Sequence, residues 1–285
     1  MDDHVLIWEM GPRDGLQNEA AQIPTEQKVA LVNKLSATGL RRIEVTSFVS
    51  PRWVPQMADA AQVFAAINRR PGVVYSALTP NMQGFEAALS SGVGEVAIFA
   101  SASEAFSSKN INCSITESMA RFQPVLGRAH DMRMPVRAYV SCAIDCPYDG
   151  PVVPANVAKV TRQLLDMGCY EVSLADTIGS GQPDRVHSML DAVLDVAEAR
   201  TLALHFHDTQ GRAIDNVAAG LERGIRIFDA AVGGLGGCPY APGAKGNVAT
   251  ETVVDWLHSH GLSTGTDLDL LREAGRFAND LRKPT

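Results

Sequence analysis

Two histidines stand two residues apart at the end of an apolar run, in the segment Leu202–Gly211 (LALHFHDTQG). Residues i and i+2 of a β-strand face the same side, so His205 and His207 point one way and Phe206 the other. Two imidazoles at a strand end, with Asp208 and a Thr-Gln-Gly turn after them, have the donors of a metal site. The plain alternative is a surface or hydrogen-bonded pair, and His-x-His alone does not separate the two.

Other reactive side chains fall at similar positions, just past apolar runs. Arg13 and Asp14 follow Leu6-Ile7-Trp8 and precede Gln17, Asn18 and Glu19, a loop more polar than a turn requires. Asp14 offers a hard carboxylate for a divalent cation and Arg13 a permanent positive charge beside it; the alternative is a local surface ion pair. Glu44 lies inside a strand pattern with Thr46 on the same face, directed either to the site or to water. Lys109 and Asn110 sit in a polar stretch that either contacts a phosphate or is solvated. Asp176, three residues beyond Ser173, either reaches a metal-bound water or substrate hydroxyl or caps the turn that follows. Six glycines between Gly233 and Gly246 enclose Cys238 and lead to Asn247. Such a backbone approaches a ligand closely and moves as a lid, and Cys238 within it is either a proton-transfer thiol or a small turn residue. Asp14, His205, His207 and Asn247 together supply two oxygens and two nitrogens. Without thiolate, that set suits Mg²⁺ or Mn²⁺ in an octahedral shell, with Zn²⁺ the second choice.

Positioning these groups falls to an alternating series of short apolar runs and longer helical patterns. Strand-like runs cover 4–10, 42–48, 73–78, 95–100, 136–142, 170–175, 202–207 and 225–232. Helical patterns cover 24–38, 58–68, 82–91, 115–132, 155–167, 183–200, 213–223 and 249–260, and an extra C-terminal helix follows at about 268–281. Eight strand–helix units with nearly continuous apolar strands predict one closed (β/α)₈ TIM barrel spanning residues 1–285. An open dinucleotide-binding sheet would carry GxGxxG after the first strand, whereas this turn reads Gly-Pro-Arg-Asp-Gly. The glycine-rich segment lacks GK[ST], which excludes a P-loop. In a barrel the active groups sit after the C-terminal ends of the strands, where all of those above fall.

Of the 285 residues, 46% are hydrophobic and 20% charged, enough apolar content for a sizeable core. A net charge of −7 argues against nucleic acid or an anionic membrane as partner. Five cysteines without CxxC spacing read as free thiols in a reducing compartment. With no signal-like or membrane-length apolar run, the expected location is cytoplasmic.

Several long segments carry a resemblance. GPRDGLQNE (11–19), IEVTSFVSPRWVPQM (43–57), KNINCSI (109–115), YVSCAIDCPYDG (139–150), Asp176-Thr177-Ile178-Gly179, HFHDTQG and GLGGCPYAPGAKGN (234–247) are similar to the 3-hydroxy-3-methylglutaryl-CoA lyases. The likeness runs from about residue 5 to 282. It implies Asp14, His205, His207 and Asn247 as metal ligands, Arg13 as stabiliser of a developing enolate, and Cys238 in proton transfer. Glu44 and Asp176 match further active-site carboxylates, while Gln17, Lys109, Asn110 and Ser173 match substrate- and CoA-side positions. It also implies an acyl-CoA substrate and a homodimer. Ala20, Gln210, Ala231-Val232-Gly233 and Lys245 depart from the usual pattern without touching a proposed ligand.

The implied reaction is a retro-Claisen cleavage to acetyl-CoA and acetoacetate. Asp176, a histidine or a water is the expected base. The rival enzyme readings are a lyase for a longer-chain 3-hydroxyglutaryl-CoA and a condensing synthase on the same barrel. A catalytically silent metal- or CoA-binding barrel is the rival from another class.

Overall fold

The apolar runs become short strands because each is covered on both faces. In the computed structural model, which describes residues 3–236 and 246–283, they are β1 (Leu6–Glu9), β2 (Arg42–Ser47), β3 (Val74–Leu78) and β4 (Glu95–Ser101). The series continues with β5 (Val136–Ser141), β6 (Glu171–Asp176), β7 (Leu202–Phe206) and β8 (Ile227–Ala230). Among the described residues these eight are joined in parallel and close in the order β1-β8-β7-β6-β5-β4-β3-β2. The expected (β/α)₈ barrel is therefore present.

The crossovers are α1 (Thr25–Ser36), α2 (Ala60–Ala66), α3 (Met82–Ser90), α4 (Glu104–Ile111), α5 (Ile115–Asp131), α6 (Pro154–Asp166), α7 (Pro183–Leu194), α8 (Ala213–Glu222) and α9 (Thr250–Ser259). Apolar residues three and four apart turn one stripe of each long helix inward. In α6 these are Val157, Val160 and Leu164, and in α9 Val253, Val254 and Leu257. Each such aliphatic side chain contributes about 1.5–3 kcal/mol on burial. The largest core layer lies between helices and barrel. Inside the barrel a smaller apolar cluster of Trp8, Met10, Leu78, Ala97 and Tyr139 shares the space with buried charges.

The C-terminal helix α10 (Leu268–Asp280) packs against α1, α9 and the turn at Val232–Gly234. Asp267 starts it by accepting backbone N–H bonds from Asp269 and Leu270, both at 3.0 Å. Just beyond its end, Arg282 donates to Glu19 at 2.8 Å and to the Gly234 carbonyl at 3.1 Å. That contact holds one root of the glycine-rich segment, whose residues 237–245, including Cys238, lie outside the described residues.

Two elements differ from expectation. The polar stretch after β4 forms α4, because Ser103 caps it by accepting from Phe106 N at 3.1 Å. With only Phe106 and Ser107 buried, it has too little apolar periodicity to be seen in the sequence. The helix expected over 183–200 stops at Leu194, with a separate helical turn at Ala199–Thr201 leading into β7.

Candidate active site

Chemistry at the C-terminal rim begins with the turn after β1. Gly11–Gly15 winds as one wide helical turn, closed by Gly15 N donating to the Met10 carbonyl at 3.1 Å. Single wide turns of this kind recur at functional sites. Gly15 is required by packing, since a Cβ there would lie 2.6 Å from Leu235 Cβ. The turn throws Arg13 and Asp14 toward the barrel axis. Arg13 is 7% exposed; its Nη1 donates to Asp14 at 2.5 Å and its Nε to Glu44. Glu44 is fully buried on β2, and its second oxygen accepts from the Tyr139 hydroxyl at 2.6 Å. Of the two directions open to Glu44, the interior is the observed one. The Arg13 guanidinium also lies 5.3 Å from the Tyr139 ring centre, a cation–π distance. Arg13 is thus gripped on three sides.

Burial by itself would push the Asp14 carboxyl up. Arg13, then His205 and His207, outweigh it and hold Asp14 below the usual carboxylate range, so it is an anion at neutral pH. The Arg13 guanidinium loses solvation on burial but is held above its ordinary value by Glu44 and Asp14.

His205 on β7 and His207 just past its end point to one side, with ring centres 5.3 Å apart. Their planes are not parallel; the angle between them is 72° because different acceptors orient the rings. His207 Nδ1 donates to the Thr177 carbonyl at 2.6 Å, and His205 Nδ1 faces Asp229 at 3.3 Å. With each Nδ1 engaged by an oxygen, the Nε2 lone pairs are left for a ligand. His205 Nε2 is 3.9 Å from Asp14. Ligand atoms from Asp14, His205 and His207 all lie within 4.8 Å of one another. Burial, then the neighbouring His205, lower the His207 pKa to about 4, so this imidazole is neutral at pH 7.

Asn247 joins them through backbone pairing. It bridges to His207, and Val248 N donates to the Phe206 carbonyl at 3.1 Å. The Asn247 amide nitrogen donates to Asp14 at 2.8 Å and to the Leu235 carbonyl at 3.1 Å. Its Oδ1 is buried with no hydrogen-bond partner. A buried carbonyl oxygen normally has one, so an orphaned oxygen beside a carboxylate and two imidazoles fits a cation. The donors are oxygen and nitrogen only, without thiolate, a set that suits a divalent cation.

A cleft of about 190 Å³ opens over these groups. Arg13, Asp14, His205 and His207 form its polar floor; Leu78, Phe99, Phe106 and Tyr139 form a more apolar side, and Gln17, Asn18 and Asn110 lie along it. Gln17 Oε1 is buried and unpartnered. Lys109 is exposed on α4 and does not line the cleft. Ser173 is fully buried and donates to Asp229 at 2.7 Å, so it faces the barrel interior beneath His205. Asp176 does not line the cleft either. Its carboxylate accepts from Ser180 N at 3.2 Å and Gly181 N at 2.8 Å, tying the turn before α7, and burial raises its pKa to about 6.

Sequence reasoning passed over a buried charged layer. Arg137 on β5 is fully buried between the Trp8 and Tyr139 rings, 4.6 and 4.9 Å away. It donates to Glu171 at 2.5 Å and to both oxygens of Asp229 at 2.7 and 3.2 Å. The Asp229 carboxyl is pushed up by burial, but Arg137 and then His205 bring it down to about 2. Glu9 was also passed over. It accepts from Gly11 N at 2.7 Å, Val232 N at 2.9 Å and the Thr250 hydroxyl at 2.7 Å, joining β1 to the segment after β8 and to α9. For Arg137, Glu171 and Asp229 the signal was there in the alternation, since a charged residue at an inward strand position needs a partner; Glu9 instead shares the helix-facing side of β1 with Ile7.

Residues 4–278 match the HMGL-like family model. The chain belongs to the HMGL-like family. Its members include a mouse protein named "3-hydroxy-3-methylglutaryl-CoA lyase, cytoplasmic", 55% identical over 97% of this chain and 81% of that protein. A Pseudomonas aeruginosa relative, "3-hydroxy-3-isohexenylglutaryl-CoA/hydroxy-methylglutaryl-CoA lyase", is 56% identical over 95% of this chain and 91% of its own length. The crystal structure of the HMG-CoA lyase from Brucella melitensis superposes with a TM-score of 0.97 at 59% identity, covering 98% of this chain and 99% of that one. Membership of this family makes the chain a carbon–carbon lyase. Among the described residues no helix is long and apolar enough to cross a membrane.

Proposed function

We propose that this protein cleaves 3-hydroxy-3-methylglutaryl-CoA to acetyl-CoA and acetoacetate with the help of a divalent cation. The observation that carries the reading is the meeting of Asp14, His205 and His207 on the floor of a cleft that also holds Arg13, with the orphaned oxygen of Asn247, whose amide nitrogen bonds Asp14, beside them. Those four residues would hold Mg²⁺ or Mn²⁺. A cation in that position supplies Lewis-acid polarisation of substrate oxygens and acidifies the C3 hydroxyl.

The chain's own groups account for the rest. Neutral His207 and anionic Asp14 are acceptors at pH 7, as a ligand set requires. A histidine or a water takes the C3 hydroxyl proton, the C2–C3 bond breaks to release acetoacetate, and the electron pair remains on the acetyl-CoA enolate. Arg13 presents a fixed cation to that enolate oxygen. One such preorganised donor is worth about 3–4 kcal/mol of transition-state stabilisation. Glu44 and Tyr139 act through Arg13, by preventing it from swinging away. The enolate carbon then takes a proton, a role we assign to Cys238 in the glycine-rich segment. Asp176 supports this arrangement from the neighbouring turn.

Gln17 and Asn110 are assigned to the acyl-CoA side of the cleft, and Lys109 to solvent beyond it. The free thiols Cys113, Cys142, Cys146 and Cys169 support a cytoplasmic setting. A homodimer belongs to the same reading, and the native mass in solution tests it.

The deciding experiment incubates the protein with Mg²⁺ and 3-hydroxy-3-methylglutaryl-CoA and assays acetoacetate. Formation dependent on the cation is expected. No acetoacetate, with turnover of the 3-isohexenyl analogue, would move the assignment to the longer-chain lyase; turnover of neither would overturn it.

A further inference from the structure

The buried carboxylate Asp229 does not line the cleft, yet it touches His205, which does. It sits on β8, opposite His205 in register on β7, and is 2% exposed. Its Oδ1 accepts from Arg137 Nη2 at 2.7 Å. Its Oδ2 accepts from Arg137 Nη1 at 3.2 Å and from the Ser173 hydroxyl at 2.7 Å, and faces His205 Nδ1 at 3.3 Å. Resting on the metal reading above, we propose that Asp229 is a positioning residue, fixing His205 in the tautomer that keeps the Nε2 lone pair free for the cation.

Neutral imidazole carries one N–H and one lone pair, and the partner of one nitrogen decides which is which. An ionised carboxylate only accepts. With Nδ1 facing Oδ2, the neutral ring must therefore hold its hydrogen on Nδ1 and its lone pair on Nε2, the nitrogen toward Asp14. The carboxylate cannot rotate away, because Arg137 grips both its oxygens and is itself clamped between Trp8 and Tyr139. Arg137 further balances a buried charge that would otherwise be costly. Three strands thus cooperate: β5 holds Arg137, Arg137 holds Asp229, and Asp229 orients a ligand on β7. His207 reaches the same tautomer more simply, through the Thr177 carbonyl.

Asp229→Asn isolates the point. To keep an oxygen on Arg137 Nη2, the closer donor at 2.7 Å, the amide must place its NH₂ where Oδ2 was and give up the longer 3.2 Å bond from Nη1; the opposite rotamer sets donor against donor at the shorter distance. His205 Nδ1 then faces a donor and can only accept, which moves the imidazole hydrogen to Nε2, the ligand nitrogen. A similar exchange disables the catalytic histidine when the triad aspartate of a serine protease becomes asparagine.

The test measures Mn²⁺ affinity of metal-free, full-length protein by the electron spin resonance signal of free Mn²⁺. Asp229→Asn is expected to weaken Kd by about 10–100-fold, the range for lost second-layer partners of a metal-ligating histidine. Glu171→Gln is the comparison, because it removes charge from the same Arg137 layer without touching His205. Its Kd should remain within about twofold of the unmodified protein. Unchanged affinity in Asp229→Asn, or equal weakening in both variants, would overturn the proposal. The unmodified chain supplies a check needing no variant: ¹⁵N imidazole shifts should show His205 protonated at Nδ1, and protonation at Nε2 would refute it. If the unmodified protein binds no Mn²⁺, the metal reading itself fails and this inference falls with it.

Discussion

Replacing Glu9 by Gln should alter how stability depends on pH, and the structure allows the size to be worked out. Burial raises the Glu9 carboxyl from an ordinary 4.5 to about 7, against the pull of three donors from Val232, Thr250 and Gly11. In the unfolded chain it ionises near 4.5, whereas folded protein retains the proton to about 7. Between those values the folded state binds more protons, so stability falls as pH rises. Its contribution is fully present below about 4.5 and lost by the time pH has passed about 7. At about 1.4 kcal/mol for each pH unit between the two values, the loss is about 3 kcal/mol. Glutamine matches the shape of the protonated acid. Its carbonyl accepts from Gly11 N and Val232 N, and its amide donates to the Thr250 hydroxyl, which serves equally as acceptor. Urea unfolding of both proteins from pH 4 to 8.5 gives the difference, in which all other titrating groups cancel. Glu9→Gln should gain about 3 kcal/mol on the unmodified protein across that range, most of it between pH 4.5 and 7. A difference flat to within about 0.5 kcal/mol would show that burial does not hold the Glu9 proton, and the reasoning would be wrong.

Two other substitutions probe the rim. Arg13→Gln should lower kcat at least about 10²-fold while the KM for the thioester moves little; steady-state kinetics giving a rate within tenfold of normal would remove Arg13 from enolate stabilisation. Gly15→Ala places a Cβ 2.6 Å from Leu235 Cβ, so the Gly11–Gly15 turn must shift. Overpacking of this sort costs about 1–3 kcal/mol, and a melting temperature within a degree of normal would show that the turn accommodates it freely.

Much of the architecture was legible because it is written in local periodicity. Short aliphatic runs such as Val136–Ser141 and apolar spacings such as Val157, Val160 and Leu164 report burial directly. The misplaced elements are those where burial is slight. The α4 helix depends on the Ser103 cap and hides only two residues, and the expected end of α7 at Arg200 fell short at Leu194. Of the residues proposed as ligands, Asp14, His205 and His207 stood out by type and position, and the fold brings them together. Asp176 and Ser173 were placed at the right strand but turn elsewhere, one into its own turn and the other onto Asp229.

Residue type and spacing were enough to foresee the barrel, the strand ends that carry reactive groups, and the oxygen and nitrogen character of the proposed donor set. Those follow from residue type and from spacing along one chain segment. What faces what is set by contacts between distant segments. Closure of β1 on β8 brings Asp14 within reach of Asn247, residues 233 positions apart, and the Phe206–Val248 pairing sets Asn247 beside His207. The Arg137–Asp229–His205 connection spans three strands whose pairing no local pattern encodes. Orientation at a site is a property of distant contacts, because a side chain's hydrogen-bond partner is chosen by proximity in space and not by position in the chain.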